Sequence, residues 1–135
     1  MLFSKCVDLQ TIIILFLMVT PVFRIFDYRK AYEFYVEWLG FHLDWEERSD
    51  TGPMYMQVSR GDIVLHLAGY CGENCPGSKA MAEINGLLAY HRLLVQKEYP
   101  FVPPGLKKTT WSERVMQAEV TDPFGNSIVF IEACA

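Results

Sequence analysis

Two periods alternate along the chain. From Asp27 onward, apolar residues recur at Ala31, Phe34, Tyr35, Trp38 and Leu39, the single stripe of an amphipathic helix. Asp27 is a residue type that caps helices by accepting from first-turn amides. Gly40 supplies the left-handed residue on which helices end. The period then shortens to two, and His42–Glu47 reads as a strand. Met54, Met56 and Val58 alternate with Tyr55, Gln57 and Ser59, and Ile63, Leu65 and Leu67 alternate with Val64, His66 and Ala68. Such alternation predicts two half-buried strands. Arg60-Gly61-Asp62 between them reads as their hairpin turn rather than as an adhesion tripeptide. Gly69–Ser78 carries three glycines and a proline, the composition of a linker.

The pattern then repeats. Asp27-Tyr28-Arg29-Lys30-Ala31-Tyr32 recurs as Asn85-Gly86-Leu87-Leu88-Ala89-Tyr90, and Phe41 falls onto Tyr99 at the same offset. Asn85 is the expected cap of a second helix. Its stripe is Leu87, Leu88, Leu94 and Val95, with His91 among them, and Pro100 stops it. Strands are expected near Ala80–Asn85, Phe101–Pro103, Val115–Thr121 and Ser127–Ile131. Each half therefore reads strand–helix–strand–strand–strand, an α+β chain.

The length of 135 residues is one domain's worth. The expected domain covers 20–135, with modules at about 20–68 and 79–132. A formal net charge of −4 argues against a nucleic-acid partner and mildly favours a cationic ligand. Residues 1–19 form an apolar leader whose run, Thr11–Val19, is too short to span a bilayer. Asp8 precedes it, and Thr20-Pro21-Val22 offers no small-x-small cleavage site, so a signal peptide is disfavoured. The expectation is a cytoplasmic protein with no membrane partner, its leader packing on the domain or prolonging the first strand. Of Cys6, Cys71, Cys75 and Cys134, the Cys71-x-x-x-Cys75 pair fits neither zinc-ribbon nor redox spacing. Free thiols are expected there.

Two motifs carry a resemblance. The first helix ends Phe34-Tyr35-Val36-Glu37-Trp38-Leu39-Gly40-Phe41, and Asp122-Pro123-Phe124-Gly125-Asn126 leads directly into Ser127–Ile131. From about Thr20 to Glu132 the chain resembles the glyoxalase/bleomycin-resistance/dioxygenase superfamily, the vicinal oxygen chelate fold. The resemblance implies two βαβββ modules forming a curved mixed sheet, and a homodimer. Metal-dependent members place a ligand on each of four strands. Carried over by the motifs, those positions read Pro21, His66, Lys79 and Val129. Proline and valine cannot ligate, and a lysine ammonium repels a cation. The expectation is therefore no metal, no cofactor and no catalytic residue.

The bleomycin-resistance branch is the part of the superfamily that the chain resembles most. Its members bind a bulky cationic glycopeptide in crevices at the dimer interface, with aromatic rings on the drug's planar bithiazole. The resemblance assigns such rings to Trp45, Tyr55 and Trp111, a ligand ring lying between two of them. Gln57, His66 and Arg114 complete the expected ligand-binding set. Asp44 and Glu46, with Glu47 and Asp50 nearby, are expected to pair with a cationic tail. Read without the resemblance, Trp45 and Tyr55 equally fit a core cap, and the acidic residues a solvated loop. Gln117-Ala118-Glu119 makes the run to Asp122 about two residues longer than the family's, which should bulge or lengthen that strand. The implied function is sequestration of a bleomycin-type antibiotic, or of another cationic or planar aromatic small molecule. The alternatives are a metal-dependent enzyme of the same superfamily and a binder of an unrelated natural ligand.

Overall fold

The computed structural model describes residues 18–48, 53–69 and 76–134. Most of the leader, Cys6, Asp50, Cys71 and Cys75 lie outside the described residues. Among the described residues eight strands form two four-stranded sheets of the same design. In the first, β1 (Val22–Arg24), β2 (His42–Glu47), β3 (Tyr55–Arg60) and β4 (Ile63–Ala68) lie in the order β1-β4-β3-β2. In the second, β5 (Lys79–Glu83), β6 (Leu106–Lys108), β7 (Val115–Thr121) and β8 (Ser127–Ala133) lie in the order β5-β8-β7-β6. Each module opens with a parallel pair, β1 with β4 and β5 with β8, because a helix separates its first strand from the rest. The expected α+β fold of two βαβββ modules is the observed one.

Helix α1 (Tyr28–Tyr32) starts on Asp27, whose carboxylate accepts from Lys30 N at 3.0 Å. It widens into a π-helical stretch, Glu33–Trp38, where Leu39 N reaches back to Phe34 O. Ala31, Phe34, Tyr35, Trp38 and Leu39 are all buried, as the stripe predicts. Gly40 follows with φ 78°, the left-handed turn.

Helix α2 (Leu87–Gln96) departs from its expected details in two ways. Its buried face is Leu87, Tyr90 and Leu94, whereas Leu88 and Val95 are exposed. Tyr90, not the aliphatic neighbours, fills the gap because its hydroxyl has a target, Leu39 O at 2.6 Å. Nor does Asn85 cap the helix. Glu132, at the end of β8, accepts from Gly86 N at 2.8 Å and Leu87 N at 3.0 Å. A carboxylate at a helix N-terminus also meets the favourable end of the dipole.

A third departure concerns β6, which begins at Leu106 rather than Phe101. Pro103 and Pro104 lack the amide hydrogens a ladder needs. Phe101 packs instead edge-on against Phe34, ring centroids 5.1 Å apart. Strand β7 takes up its extra length as seven residues in unbroken register with β8, without a bulge.

The modules share one core, with Phe23, Met56, Val58, Leu65 and Leu67 from the first sheet and Ala118, Val120, Ile128 and Phe130 from the second. Polar groups lock them together. Trp38 Nε1 donates to Leu94 O at 3.2 Å. Lys97 Nζ donates to the carbonyls of Glu37 and Trp38 at 3.0 and 2.6 Å, satisfying acceptors at the end of the first helix.

The Asp122–Asn126 turn is the main staple. Asp122 Oδ1 accepts from the amides of Phe124 and Asn126 at 2.9 and 2.8 Å. Its Oδ2 accepts from Tyr35 Oη at 2.6 Å and Asn126 Nδ2 at 2.9 Å. Asn126 Nδ2 donates also to Arg24 O at 2.7 Å. Burial first, then the Asp122 charge, pushes the Tyr35 hydroxyl well above its ordinary pKa, so it remains the donor. The motif that carries the resemblance thus joins the two modules.

Candidate functional site

In each sheet one face packs on the core and the other does not. On the first sheet, Phe23, Met56, Val58, Leu65 and Leu67 are core, and the opposite parity holds Tyr55, Gln57, Ser59 and His66. Strand β2 would by simple alternation place Trp45 with Leu43, on the core side. A bulge prevents this. Leu43 pairs with Val58 and Trp45 with Gln57, so Asp44 is an extra residue without a partner of its own. The bulge brings both Asp44 and Trp45 onto the face of Tyr55, Gln57 and His66.

There they form a connected cluster. Trp45 and Tyr55 stack with centroids 5.9 Å apart and planes 7° from parallel. The His66 ring stands edge-on to both, 5.4 Å from Trp45 and 5.3 Å from Tyr55. Tyr55 Oη lies 2.8 Å from His66 Nδ1, and His66 Nε2 lies 3.0 Å from Gln57 Oε1. Gln57 Nε2 donates to Asp44 Oδ2 at 3.1 Å. Asp44 Oδ1 takes Ser59 Oγ at 3.0 Å and His42 Nδ1 at 2.9 Å. Burial would raise the Asp44 pKa, but hydrogen bonds from His42, Gln57 and Ser59 outweigh it and hold the carboxyl below its ordinary value. Its oxygens already serve three side chains, so Asp44 braces the wall more than it offers charge to a ligand.

The same bulge separates Glu46 from Asp44. Glu46 pairs with Met56, on the helix side of the sheet, and lies 3.5 Å from Arg48. Burial, then a hydrogen bond to Glu46, pushes the Tyr28 hydroxyl up to about 12. Trp111 and Arg114 belong to the other sheet. Trp111 is 60% exposed in the turn before β7, held by reciprocal bonds between Thr109 and Ser112. Arg114 N donates to Ser112 Oγ at 3.1 Å, and Arg114 O accepts from Cys134 N at 2.6 Å. One chain therefore assembles Asp44, Trp45, Tyr55, Gln57 and His66, and holds Trp111 and Arg114 apart from them. Ser59 and His42, not singled out from the sequence, join the network. Ser59 had a signal in its strand parity, whereas His42 had none.

A divalent cation does not fit the four superfamily positions. His66 is their one donor, and both its ring nitrogens are engaged by Tyr55 and Gln57. The strand register sets Val22 rather than Pro21 beside His66, and valine also lacks a donor. Val129 is buried between Met81 and Glu119 on the neighbouring strands. The Lys79 ammonium lies 3.1 Å from Glu119. Among the described residues no group of three histidine, cysteine, aspartate or glutamate side chains converges on one point.

Burial lowers the His66 pKa below its ordinary value. The unfolded chain therefore takes up this proton at higher pH than the folded protein, and stability falls as pH drops below about 6.5. His66→Gln should show a shallower loss of melting temperature than the parent between about pH 7.5 and about pH 5. Parallel declines in the two proteins would count against a buried neutral imidazole.

Comparison with known proteins agrees with this geometry. The family model described as glyoxalase superfamily protein matches residues 6–135. A bleomycin-binding protein complexed with bleomycin superposes with a TM-score of 0.64 at 22% identity, covering 85% of this chain and 97% of that one. The bleomycin-binding protein of bleomycin-producing Streptomyces verticillus, complexed with copper(II)-bleomycin, gives 0.62 at 25% identity, covering 88% and 96%. A glyoxalase family protein from Bacillus anthracis gives 0.62 at 16% identity, covering 86% and 93%. Comparison with curated proteins gives no match. Among the described residues no helix is long and apolar enough to cross a membrane. With a family model matched over nearly its whole length and the fold of the bleomycin-binding proteins, the chain belongs to the glyoxalase superfamily.

Proposed function

We propose that this protein is a metal-free, cytoplasmic, homodimeric binder that sequesters a planar aromatic, cationic small molecule of the bleomycin type. Such sequestration would confer antibiotic resistance. The observation that carries the reading is the parallel Trp45–Tyr55 pair braced by His66. The likeness to bleomycin-binding proteins supports it, as does the presence of a single metal donor, His66, at the four superfamily positions. The spacing of this pair bears on how a ligand ring can stack. A ring inserted between two others needs about 7–8 Å between their planes, twice the carbon contact distance. Trp45 and Tyr55 have 5.9 Å between centroids. They form one composite wall, and the ligand stacks on its outer surface.

The opposing surface is assigned to a second copy. Val22 and Met81 are exposed in the single chain, and apolar exposure of this kind favours a partner. A two-fold dimer would bring Trp111 of one copy toward the Trp45 wall of the other.

Calorimetric titration with bleomycin, metal-free and copper-loaded, tests the assignment. The expected result is saturation at one drug per chain in both forms, with no divalent metal retained by the dialysed protein. Stoichiometric metal that disappears in His66→Ala would return the chain to the enzymes of its superfamily. No heat with either drug form would remove the bleomycin-type ligand.

A further inference from the structure

We propose that Asp44 and Gln57 are positioning residues that lock His66 in one tautomer, and that this lock fixes what Tyr55 can offer a ligand. The proposal rests on the binding role only for its consequence; the lock itself follows from hydrogen-bond direction. The bulge places the Asp44 carboxylate 3.1 Å from the Gln57 amide. An ionised carboxylate only accepts, so the Gln57 nitrogen must face Asp44 and its oxygen must face the other way. That oxygen lies 3.0 Å from His66 Nε2. Two acceptors cannot share a hydrogen bond, so Nε2 carries the proton. The neutral imidazole then has a bare Nδ1, which accepts from the Tyr55 hydroxyl at 2.8 Å. One carboxylate at the edge of the sheet thus sets the direction of three successive hydrogen bonds.

Two properties of the site follow. The Tyr55 hydrogen is committed to His66, so toward any further partner its oxygen can only accept. A ligand group meeting it must donate, as an amide, amine or ammonium N–H does, and a carbonyl or carboxylate placed there is rejected. A site built around a fixed acceptor discriminates strongly, because a mismatched ligand leaves polar groups unpaired. The bond also pins the Tyr55 ring at its hydroxyl end, which keeps it parallel to Trp45. Asp44 does this without touching the ligand, which explains a carboxylate whose capacity is spent on Gln57, Ser59 and His42.

Heteronuclear NMR of the histidine ring nitrogens reads the tautomer directly. The spectra are taken at about pH 8, above the ordinary histidine pKa of about 6.5. In the unaltered protein, His66 should show a protonated Nε2 and a bare Nδ1. Asp44→Ala frees the Gln57 amide to turn over, and Gln57→Leu removes the acceptor. Both should convert the single species into a mixture of tautomers. Ser59→Ala, which removes a donor to Asp44 but leaves the chain to His66 intact, should not. A protonated Nδ1 in the unaltered protein, or an unchanged tautomer in both Asp44→Ala and Gln57→Leu, overturns the lock. Bleomycin affinity, measured on the same samples, should fall several-fold wherever the tautomer is mixed. Unchanged affinity in a mixed-tautomer variant overturns the link from lock to ligand. Failure of the unaltered protein to bind bleomycin would remove the ligand while the tautomer result stood.

Discussion

Asp122→Ala is expected to lower the unfolding free energy by about 3–5 kcal/mol, a loss that places it in the tail of single substitutions. The carboxylate is buried and receives four hydrogen bonds, from Tyr35, from two amides of its own turn and from the Asn126 side chain. Truncation leaves these donors without an acceptor, and three of the four bonds are buried. For a domain of this size the loss corresponds to a fall of roughly 10–20 °C in melting temperature. Tyr35→Phe removes one donor and keeps the ring, so it should cost about 1–2 kcal/mol. Thermal and denaturant unfolding check both values. If Asp122→Ala melts within a few degrees of the parent, the staple between modules is not where the structure puts it.

The second large effect concerns ligand affinity. Trp111→Ala should weaken bleomycin binding by roughly 1–3 kcal/mol, about 5- to 150-fold, the range of an interface hot spot. Its melting temperature should barely move, because the ring is 60% exposed and truncation opens no cavity. Trp45→Ala should lose affinity and some stability together, since its half-buried ring contacts Tyr55 and His66. Tyr55→Ala should behave like Trp45→Ala. The decisive pattern is a separation, with Trp111 affecting binding only and the Trp45–Tyr55 wall affecting both. Three variants that all lose stability, and bind normally at a temperature where they are folded, would mean that these rings merely cap the core.

Local order was legible in the sequence and long-range order was not. The stripe of the first helix, its Asp27 cap and the strands β2, β3, β4, β7 and β8 follow from periodicity within a few residues. The capping of α2 by Glu132 spans 45 residues to Leu87, and the Tyr35–Asp122 bond spans 87. No local pattern marks either. Tyr90 is buried with its hydroxyl on Leu39 O, whereas Leu88 is exposed. Pro103 and Pro104 could have ruled out a strand at 101–103, since a missing amide hydrogen is visible in the sequence.

The candidate site divides on the same line. The parity of Tyr55, Gln57 and His66 was readable, and all three share one face. Proximity in the sequence groups Asp44 and Glu46 with Trp45, and strand phase decides which of them share a face. One extra residue at Asp44 reverses the phase beyond it, so Trp45 gains the site face and Glu46 leaves it. The carbonyl and amide pairings that make a bulge depend on the neighbouring strand, and composition does not announce them.

The bulge has a consequence outside ligand recognition. Among the described residues strand β2 is one of the two outer strands of its sheet, where unpaired amides and carbonyls invite another chain to add on. A kinked ladder flanked by Glu46, Glu47 and Arg48 is a poor template for such growth. At the matching border of the second sheet, β6 is three residues long and carries two exposed lysines, Lys107 and Lys108. Both borders thus resist fibrous stacking by the devices that soluble β-proteins use against aggregation. Straightening β2 by deleting Asp44 would therefore remove a guard on colloidal stability as well as a brace from the aromatic wall.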